Sequence, residues 1–176
     1  MYHIKQDKRA ESSVRLICAA VVELLGEKPF GEITVSDVQR RSTVSRSTFY
    51  RNFDSLEDVL ALLCDRGFDE IAAEGGAPVY IRVFHYWFNS PAVLEALVST
   101  GRTDILAESL KKLLLRSKEL PGMDEARLDY FAANIGYVMT GILATWLKRG
   151  RRESEKELAG ILADCFAAAG VMLMMG

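Results

Sequence analysis

A chain of 176 residues, 49 % of them apolar, can bury one large core or a small module plus a medium one. Its 22 Lys/Arg and 24 Asp/Glu leave a net charge of −2, which by itself does not suggest nucleic acid. Three widely spaced cysteines (Cys18, Cys64, Cys165), and two histidines (His3, His85) that do not pair with them, argue against a disulfide framework and a zinc site. That cysteine usage suits a reducing cytoplasm. The opening MYHIKQDKRAESS lacks the apolar core of a signal peptide, and the longest apolar run, 166–175, is too short to span a bilayer. A cytoplasmic chain with no membrane partner is expected. Four prolines and few alternating β-branched runs predict an all-α fold of about nine helices. The charge is uneven: residues 1–56 hold nine Lys/Arg against seven Asp/Glu, and residues 57–176 thirteen against seventeen.

Residues 8–26 read as a first helix, with Val14, Ile17, Cys18, Val21, Leu24 and Leu25 at helical spacing. GEKPFG at 26–31 ends it, and Phe30 and Ile33 return to the core. Residues 34–53, TVSDVQRRSTVSRSTFYRNF, read as two short helices joined by a tight turn. Thr34 can cap the first, and Asp37 reaches back to close a capping box. Val35 and Val38 face inward, while Ser36, Arg40 and Arg41 are left for solvent or a ligand. Ser42, Thr43 and Val44 break the pattern. Ser45 can cap the second helix, where Arg46, Ser47, Thr48 and Tyr50 point outward and Val44, Phe49 and Phe53 anchor it. This is the pattern of a helix-turn-helix, in which one helix lies against a duplex and the next enters the major groove.

Asp54 is expected to cap a fourth helix, with Glu57 at its third position and Val59, Leu60, Leu63 and Phe68 on its buried face. GGAP at 75–78 is the clearest breaker and sets the expected boundary between domains 1–74 and 75–176. Residues 79–89 form an unusually aromatic helix. Ser90 and Pro91 open the next, since proline suits a first helical position. Thr103 is expected to cap a seventh helix, and ELPGMD at 119–124 is a loop. A long helix follows at about 125–149, then a basic turn, then a last helix at about 155–174. Asp124, Glu125 and Asp129 gather at one helix start, where acids suit the macrodipole.

The last two helices each carry an apolar face and a second face with small residues, which on the first of them permit close helix approach. The first of them has Leu128, Phe131, Ile135, Met139, Ile142 and Trp146 on one face, and Asn134, Tyr137, Gly141 and Ala144 on another. The second has Leu158, Ile161, Leu162, Cys165 and Phe166 on one side and Ala159, Ala163, Ala167 and Gly170 on the other. So much apolar surface suggests a partner, most economically a second copy packed as a four-helix bundle about a twofold axis. Gly141, Trp146, Ile161 and Phe166 are the candidate interface residues. Complete burial within one chain would produce the same pattern.

The run ITVSDVQRRSTVSRSTFYRNFDSLEDVL resembles the DNA-binding signature of TetR/AcrR-type transcriptional regulators. The match is in order over the second helix, the turn, the third helix and the start of the fourth. The resemblance implies an N-terminal three-helix module bearing the helix-turn-helix and a C-terminal helical domain for effector binding and dimerisation. Carried over residue by residue, Ser36 and Arg46 fall at positions that commonly contact bases; a guanidinium can pair with guanine O6 and N7. Ser47 lies beside Arg46, against a base or a phosphate. Thr48, Tyr50 and Asn52 fall at backbone-contacting positions. The capping hydroxyls of Thr34 and Ser45 lie at helix starts, whose N–H groups face an anion. Two positions depart from the family pattern. Thr43 stands where glycine is usual in the turn, and Leu56 stands where a lysine usually grips phosphate, which lowers the expected non-specific affinity.

The resemblance further implies an effector cavity in the C-terminal domain. Phe84, Trp87 and Phe88, with His85, Tyr86 and Asn89 beside them, face Tyr130, Asn134 and Tyr137 as candidate lining residues. For any one of these residues, ordinary aromatic core and interface packing is the better account. YFAANIGYVMTGILATWLKRGRRESEKELAGIL also resembles the subgroup that includes the regulator of dihydroxyacetone kinase operons, some members of which bind a protein through this domain. No glycine-rich phosphate loop, metal-ligand cluster or nucleophile–base pair is visible, so neither catalysis nor a cofactor is expected. The expectation is a ligand-responsive repressor that binds a palindromic double-stranded DNA operator as a homodimer and answers an unidentified small-molecule effector. The alternative is a co-regulator of the same fold that acts mainly through protein contacts.

Overall fold

The computed structural model describes residues 2–3, 8–116 and 122–174, with the backbone alone for 168–174. Parts of the opening segment, of the loop expected at 119–124 and of the apolar run 166–175 lie outside the described residues. Among the described residues there are nine α-helices and no strand. They are α1 (Lys8–Leu25), α2 (Val35–Ser42), α3 (Arg46–Asn52), α4 (Leu56–Ala73), α5 (Val79–Asn89), α6 (Pro91–Ser99), α7 (Thr103–Arg116), α8 (Glu125–Lys148) and α9 (Glu155–Met174), with a 3-10 turn at Phe30–Glu32.

Two starts differ from expectation. The fourth helix begins at Leu56, and the carboxylate that accepts from the Asp54 N–H, at 2.9 Å, is Asp58 rather than Glu57. Thr103 is the first residue of α7, not its cap. Both are shifts of a residue or so, the scale on which helix ends are least determined.

The chain divides into two compact units, Met1–Arg66 with Ala92–Arg102 and Gly67–Pro91 with Thr103–Gly176. The division falls inside α4 and gives α6 to the first unit. It is therefore discontinuous, where the breaker at 75–78 suggested a single cut.

In the first unit α1, α2 and α3 pack on one another. Val14, Ile17 and Val21 of α1, Val38 of α2 and Phe49 of α3 are all buried. Burying a side chain such as Phe49 contributes roughly 1.5–3 kcal/mol. Phe49 also lies against Phe53, with ring centroids 5.6 Å apart. Arg41, which sequence left as outer charge, ties the end of α2 to the end of α1. It pairs with Glu27 at 2.8 Å and Glu23 at 3.1 Å. The Glu27 and then the Glu23 hydrogen bonds raise its pKa.

In the second unit α8 packs closely on α7, and α9 lies against α5 and α8. Gly136 makes the α7–α8 approach possible: a Cβ there would stand 2.9 Å from the Ala107 carbonyl oxygen. Gly141, the glycine expected to permit close approach, has open space around it. By length and composition, α8 is also the one described helix apolar enough to cross a membrane. Its Ala132, Met139, Thr140 and Leu143 are buried, so that apolarity serves a helical core. Arg82 is buried on α5 and donates to the carbonyls of Ile71, at 2.6 Å, and Glu74, at the end of α4.

Candidate nucleic-acid interface

The helix-turn-helix is held by short polar contacts, each within a few residues of its helix. Thr34 is the cap of α2, and the capping box is complete. The Thr34 side chain accepts from the Asp37 N–H at 3.2 Å, and the Asp37 carboxylate accepts from the Thr34 N–H at 2.9 Å. The same carboxylate oxygen accepts from the Thr34 hydroxyl at 2.7 Å and from Lys28 Nζ at 2.8 Å. The Lys28 bond first, then the two Thr34 bonds, hold the Asp37 carboxyl well below the usual carboxylate range. Lys28 was not visible as a partner in the sequence, because nothing in the spacing across GEKPFG says where its ammonium will fall.

The turn is tight. Thr43 closes α2 in the left-handed region, at φ 59°. A β-branched residue is uncommon there, and glycine adopts it without the steric cost. The Thr43 hydroxyl donates to the Ser42 carbonyl at 2.7 Å, and the buried Ser42 hydroxyl accepts from the Val44 N–H at 3.2 Å. Ser42 and Thr43 thus each supply a hydrogen bond in the turn, Thr43 at the position where the family pattern has glycine.

At the start of α3 the Ser45 side chain accepts from the Thr48 N–H at 3.2 Å and donates to the Thr48 hydroxyl at 3.0 Å. Its hydroxyl also shares a hydrogen bond with that of Ser47 at 3.0 Å. Arg46 follows on the exposed side, and its guanidinium donates to the Ser36 hydroxyl on α2. The two residues matched to base-contacting positions are therefore joined across the turn. Tyr50 is 54 % exposed and braced edge-on by Phe49, its ring centroid 5.3 Å away.

Seven of the eight candidate contact residues thus reach the surface of the motif. Thr34, Ser45, Arg46, Ser47 and Tyr50 are exposed, and Ser36 and Thr48 are half-buried. Asn52 lies apart: it is 2 % exposed, and its amide donates to the Thr48 carbonyl at 2.8 Å. In this conformation its side chain closes the end of α3 and is withdrawn from solvent. Arg40 is exposed, with only a loose ion pair to Asp37 at 3.6 Å. Leu56 is half-buried at the start of α4.

The C-terminal candidates are scattered. Phe84 and Trp87 are buried, whereas Tyr130 and Tyr137 are 75 % and 58 % exposed on α8, with Asn134 exposed between them. Phe88 stacks on Trp146 at 4.8 Å, and Trp87 meets Phe68 at 5.7 Å. Trp87 Nε1 has no hydrogen-bond partner among the described residues. None of the six lines either of two cavities found in this unit. One, of about 480 Å³, runs between α8 and α9 and includes Gly141, Trp146 and Ile161. The other, of about 310 Å³, includes Phe166. Among the described residues no three His, Cys, Asp or Glu side chains could hold a metal ion.

The fold and this motif define a helical protein built around a helix-turn-helix. Residues 17–63 match the family described as "Bacterial regulatory proteins, tetR family". Three solved structures share the fold. A TetR transcriptional regulator from Rhodococcus sp. RHA1 is 16 % identical, with a TM-score of 0.67 over 86 % of this chain and 93 % of that one. A TetR transcriptional regulator from Streptococcus agalactiae 2603V is 21 % identical, with a TM-score of 0.60 over 89 % and 94 %. The dihydroxyacetone kinase operon activator DhaS is 15 % identical, with a TM-score of 0.60 over 89 % and 95 %. Comparison with curated proteins finds none that matches. By the match over residues 17–63 and by its fold, the chain carries a TetR-type helix-turn-helix in an all-helical, TetR-like fold.

Proposed function

We propose that this protein is a homodimeric DNA-binding repressor that reads an approximately palindromic operator and releases it on binding a small-molecule effector. The observation that carries the reading is the exposed Arg46 side chain, anchored to Ser36 across a fully capped helix-turn-helix. Phosphate donors set a reader's register, and a few side chains reach base edges. Here Arg46 and Ser36 are the proposed base readers, Ser47 lies beside them, and Thr48 and Tyr50 address the backbone. Thr34 and Ser45 present the helix starts, and Asn52 braces α3 from beneath. Residues 1–74 serve as the DNA-binding domain and 75–176 as the effector and dimerisation domain. Two copies would place the α3 helices in successive major grooves about one DNA turn apart. The dimer surface is the α8–α9 face, where Ile161 and Phe166 are exposed and Gly141 leaves room. An effector releases DNA only if it binds better to the conformation in which the α3 helices are wrongly spaced. The reading needs no cofactor or catalytic residue, and it places the protein in the cytoplasm.

The test is binding to the DNA upstream of the protein's own gene, wild type against Arg46→Ala, over a salt series. The expected result is saturable, salt-sensitive wild-type binding, with preference for the site reduced about 10- to 100-fold in the variant. Equal binding of both proteins to specific and random DNA removes Arg46 from the reading.

A second reading is a co-regulator that works through protein contacts. Leu56 in place of a cation and the left-handed Thr43 favour it. It requires that no saturable DNA binding occur even at low salt. One of the similar folds is described as an operon activator, so the sign of regulation is a separate measurement from binding.

A further inference from the structure

The two cavities of the second unit are built differently. The larger is lined by α8, α9 and the turn between them, and Arg149 and Glu153 lie at its edge. The smaller has walls from four helices: Val79 and Tyr80 of α5, Leu114 of α7, Met139 of α8, and Ala163 and Phe166 of α9. No charged residue lines it, and Tyr80 is the one lining residue with a polar side-chain group. Its volume of about 310 Å³ is at the small end of the range for small-molecule sites. That space corresponds to about ten waters at liquid density. Water needs several polar partners to settle in such a site, and these walls offer one hydroxyl. A charged effector would lose hydration here without gaining a counter-charge.

We propose that this cavity between α5, α7, α8 and α9 is a binding site for a small, uncharged, predominantly apolar molecule, with the Tyr80 hydroxyl as the single polar contact. The proposal rests on the effector-responsive reading above, and it moves the site away from the aromatic and amide side chains of Phe84, Trp87, Phe88, Tyr130, Asn134 and Tyr137. The occupant is set by what the walls lack. Burial of its apolar surface would supply nearly all the affinity, and the hydroxyl would fix its orientation.

The test uses the full chain without DNA, so its outcome is independent of operator binding. Two dyes are titrated by fluorescence: uncharged N-phenyl-1-naphthylamine and the sulfonated 8-anilinonaphthalene-1-sulfonate. The expected result is saturable binding of the uncharged dye, one per chain, and at least tenfold weaker binding of the sulfonate. Ala163→Trp, which fills the cavity from the exposed side of α9, should weaken the uncharged dye at least tenfold. Ala159→Leu, a smaller filling from the same helix, should weaken it in the same direction. Tyr137→Ala, at an exposed residue that lines neither cavity, should leave it unchanged. Circular dichroism and thermal melts identify which variants are folded, and either folded filling variant suffices. Loss of the dye in Tyr137→Ala but not in the filling variants overturns the proposal. So does unchanged dye binding in Ala163→Trp together with a change in its sedimentation, which would make the cavity part of the contact between copies. If the dye binds as expected and Arg46→Ala shows no effect on DNA, the cavity stands and the operator-reading function fails.

Discussion

In the helix-turn-helix each short helix opens on a side chain that answers its own backbone. Thr34 and Asp37 close α2, and Ser45 and Thr48 close α3. In contrast, α9 buries Leu158 and Leu162 and leaves Ile161, Ala163, Cys165 and Phe166 exposed along the same helix. The first region satisfies its polar groups locally; the second has more apolar surface than its own unit covers. A cap works within one turn of helix, so it is complete once the helix forms. An apolar stripe is complete only when something lies on it. That difference separates a segment that can present a rigid reading surface from one suited to gain a partner or a ligand.

The contrast can be broken most sharply on α8, where two glycines stand in opposite situations. Gly136→Ala places a Cβ 2.9 Å from the Ala107 carbonyl oxygen, on the backbone of α7. Overpacking of this kind costs about 1–3 kcal/mol, against about 1 kcal/mol gained in helix propensity. Urea denaturation should show net destabilisation. Gly141→Ala meets open space and should stabilise the single chain by up to about 1 kcal/mol. In the proposed dimer the same methyl group should weaken self-association in sedimentation. Equal effects of the two substitutions would mean that α8 does not have one filled and one open face.

The next effect lies in the proposed DNA-reading region. Leu56→Lys restores a cation at the start of α4 and should tighten DNA binding severalfold at low salt. It should also steepen the salt dependence, log K against log salt, by about 0.9. A stronger grip with no change in that slope would place the new lysine away from phosphate.

Thr43→Gly should stabilise the first unit by about 1 kcal/mol, because glycine removes the left-handed penalty at φ 59°. That gain is reduced by the loss of the hydroxyl bond to the Ser42 carbonyl. Destabilisation in thermal melts would show that this bond outweighs the backbone cost.

The smallest effect is one of pH. The folded Asp37 carboxyl titrates below its unfolded value because Lys28 and Thr34 bond its ionised form. Its contribution is therefore present above roughly pH 4 and is lost as pH falls through the folded pKa. Wild type should lose its advantage over Asp37→Asn across that acid window. A constant difference down to pH 2 would sink the assignment. Cys18 carries the opposite sign: burial pushes its thiol up to about 11, against a smaller lowering by Arg66.

Much of the reading region was legible because its chemistry is local. The capping box at Thr34 and Asp37, the Ser45 cap, the outward Arg46 and Tyr50 and the inward Phe49 and Phe53 follow from neighbours a turn apart. Asn52 was not legible, since a terminal amide at a helix end can turn to solvent or fold back on the Thr48 carbonyl. Helical periodicity likewise recorded that α8 and α9 have apolar faces. It could not say that Gly136 rather than Gly141 takes the close contact, or that Tyr130 and Tyr137 stay exposed.

Composition and periodicity were enough to specify an all-α chain, the capped helix-turn-helix and the surplus of apolar surface near the C-terminus. Only the tertiary arrangement joined Arg46 to Ser36, brought Lys28 to Asp37 and buried Asn52. It also divided the chain inside α4 and opened an apolar cavity among α5, α7, α8 and α9. The physical reason is range. Capping and helical spacing act between residues a turn apart, while a cavity or an ion pair across a loop depends on which helix faces meet.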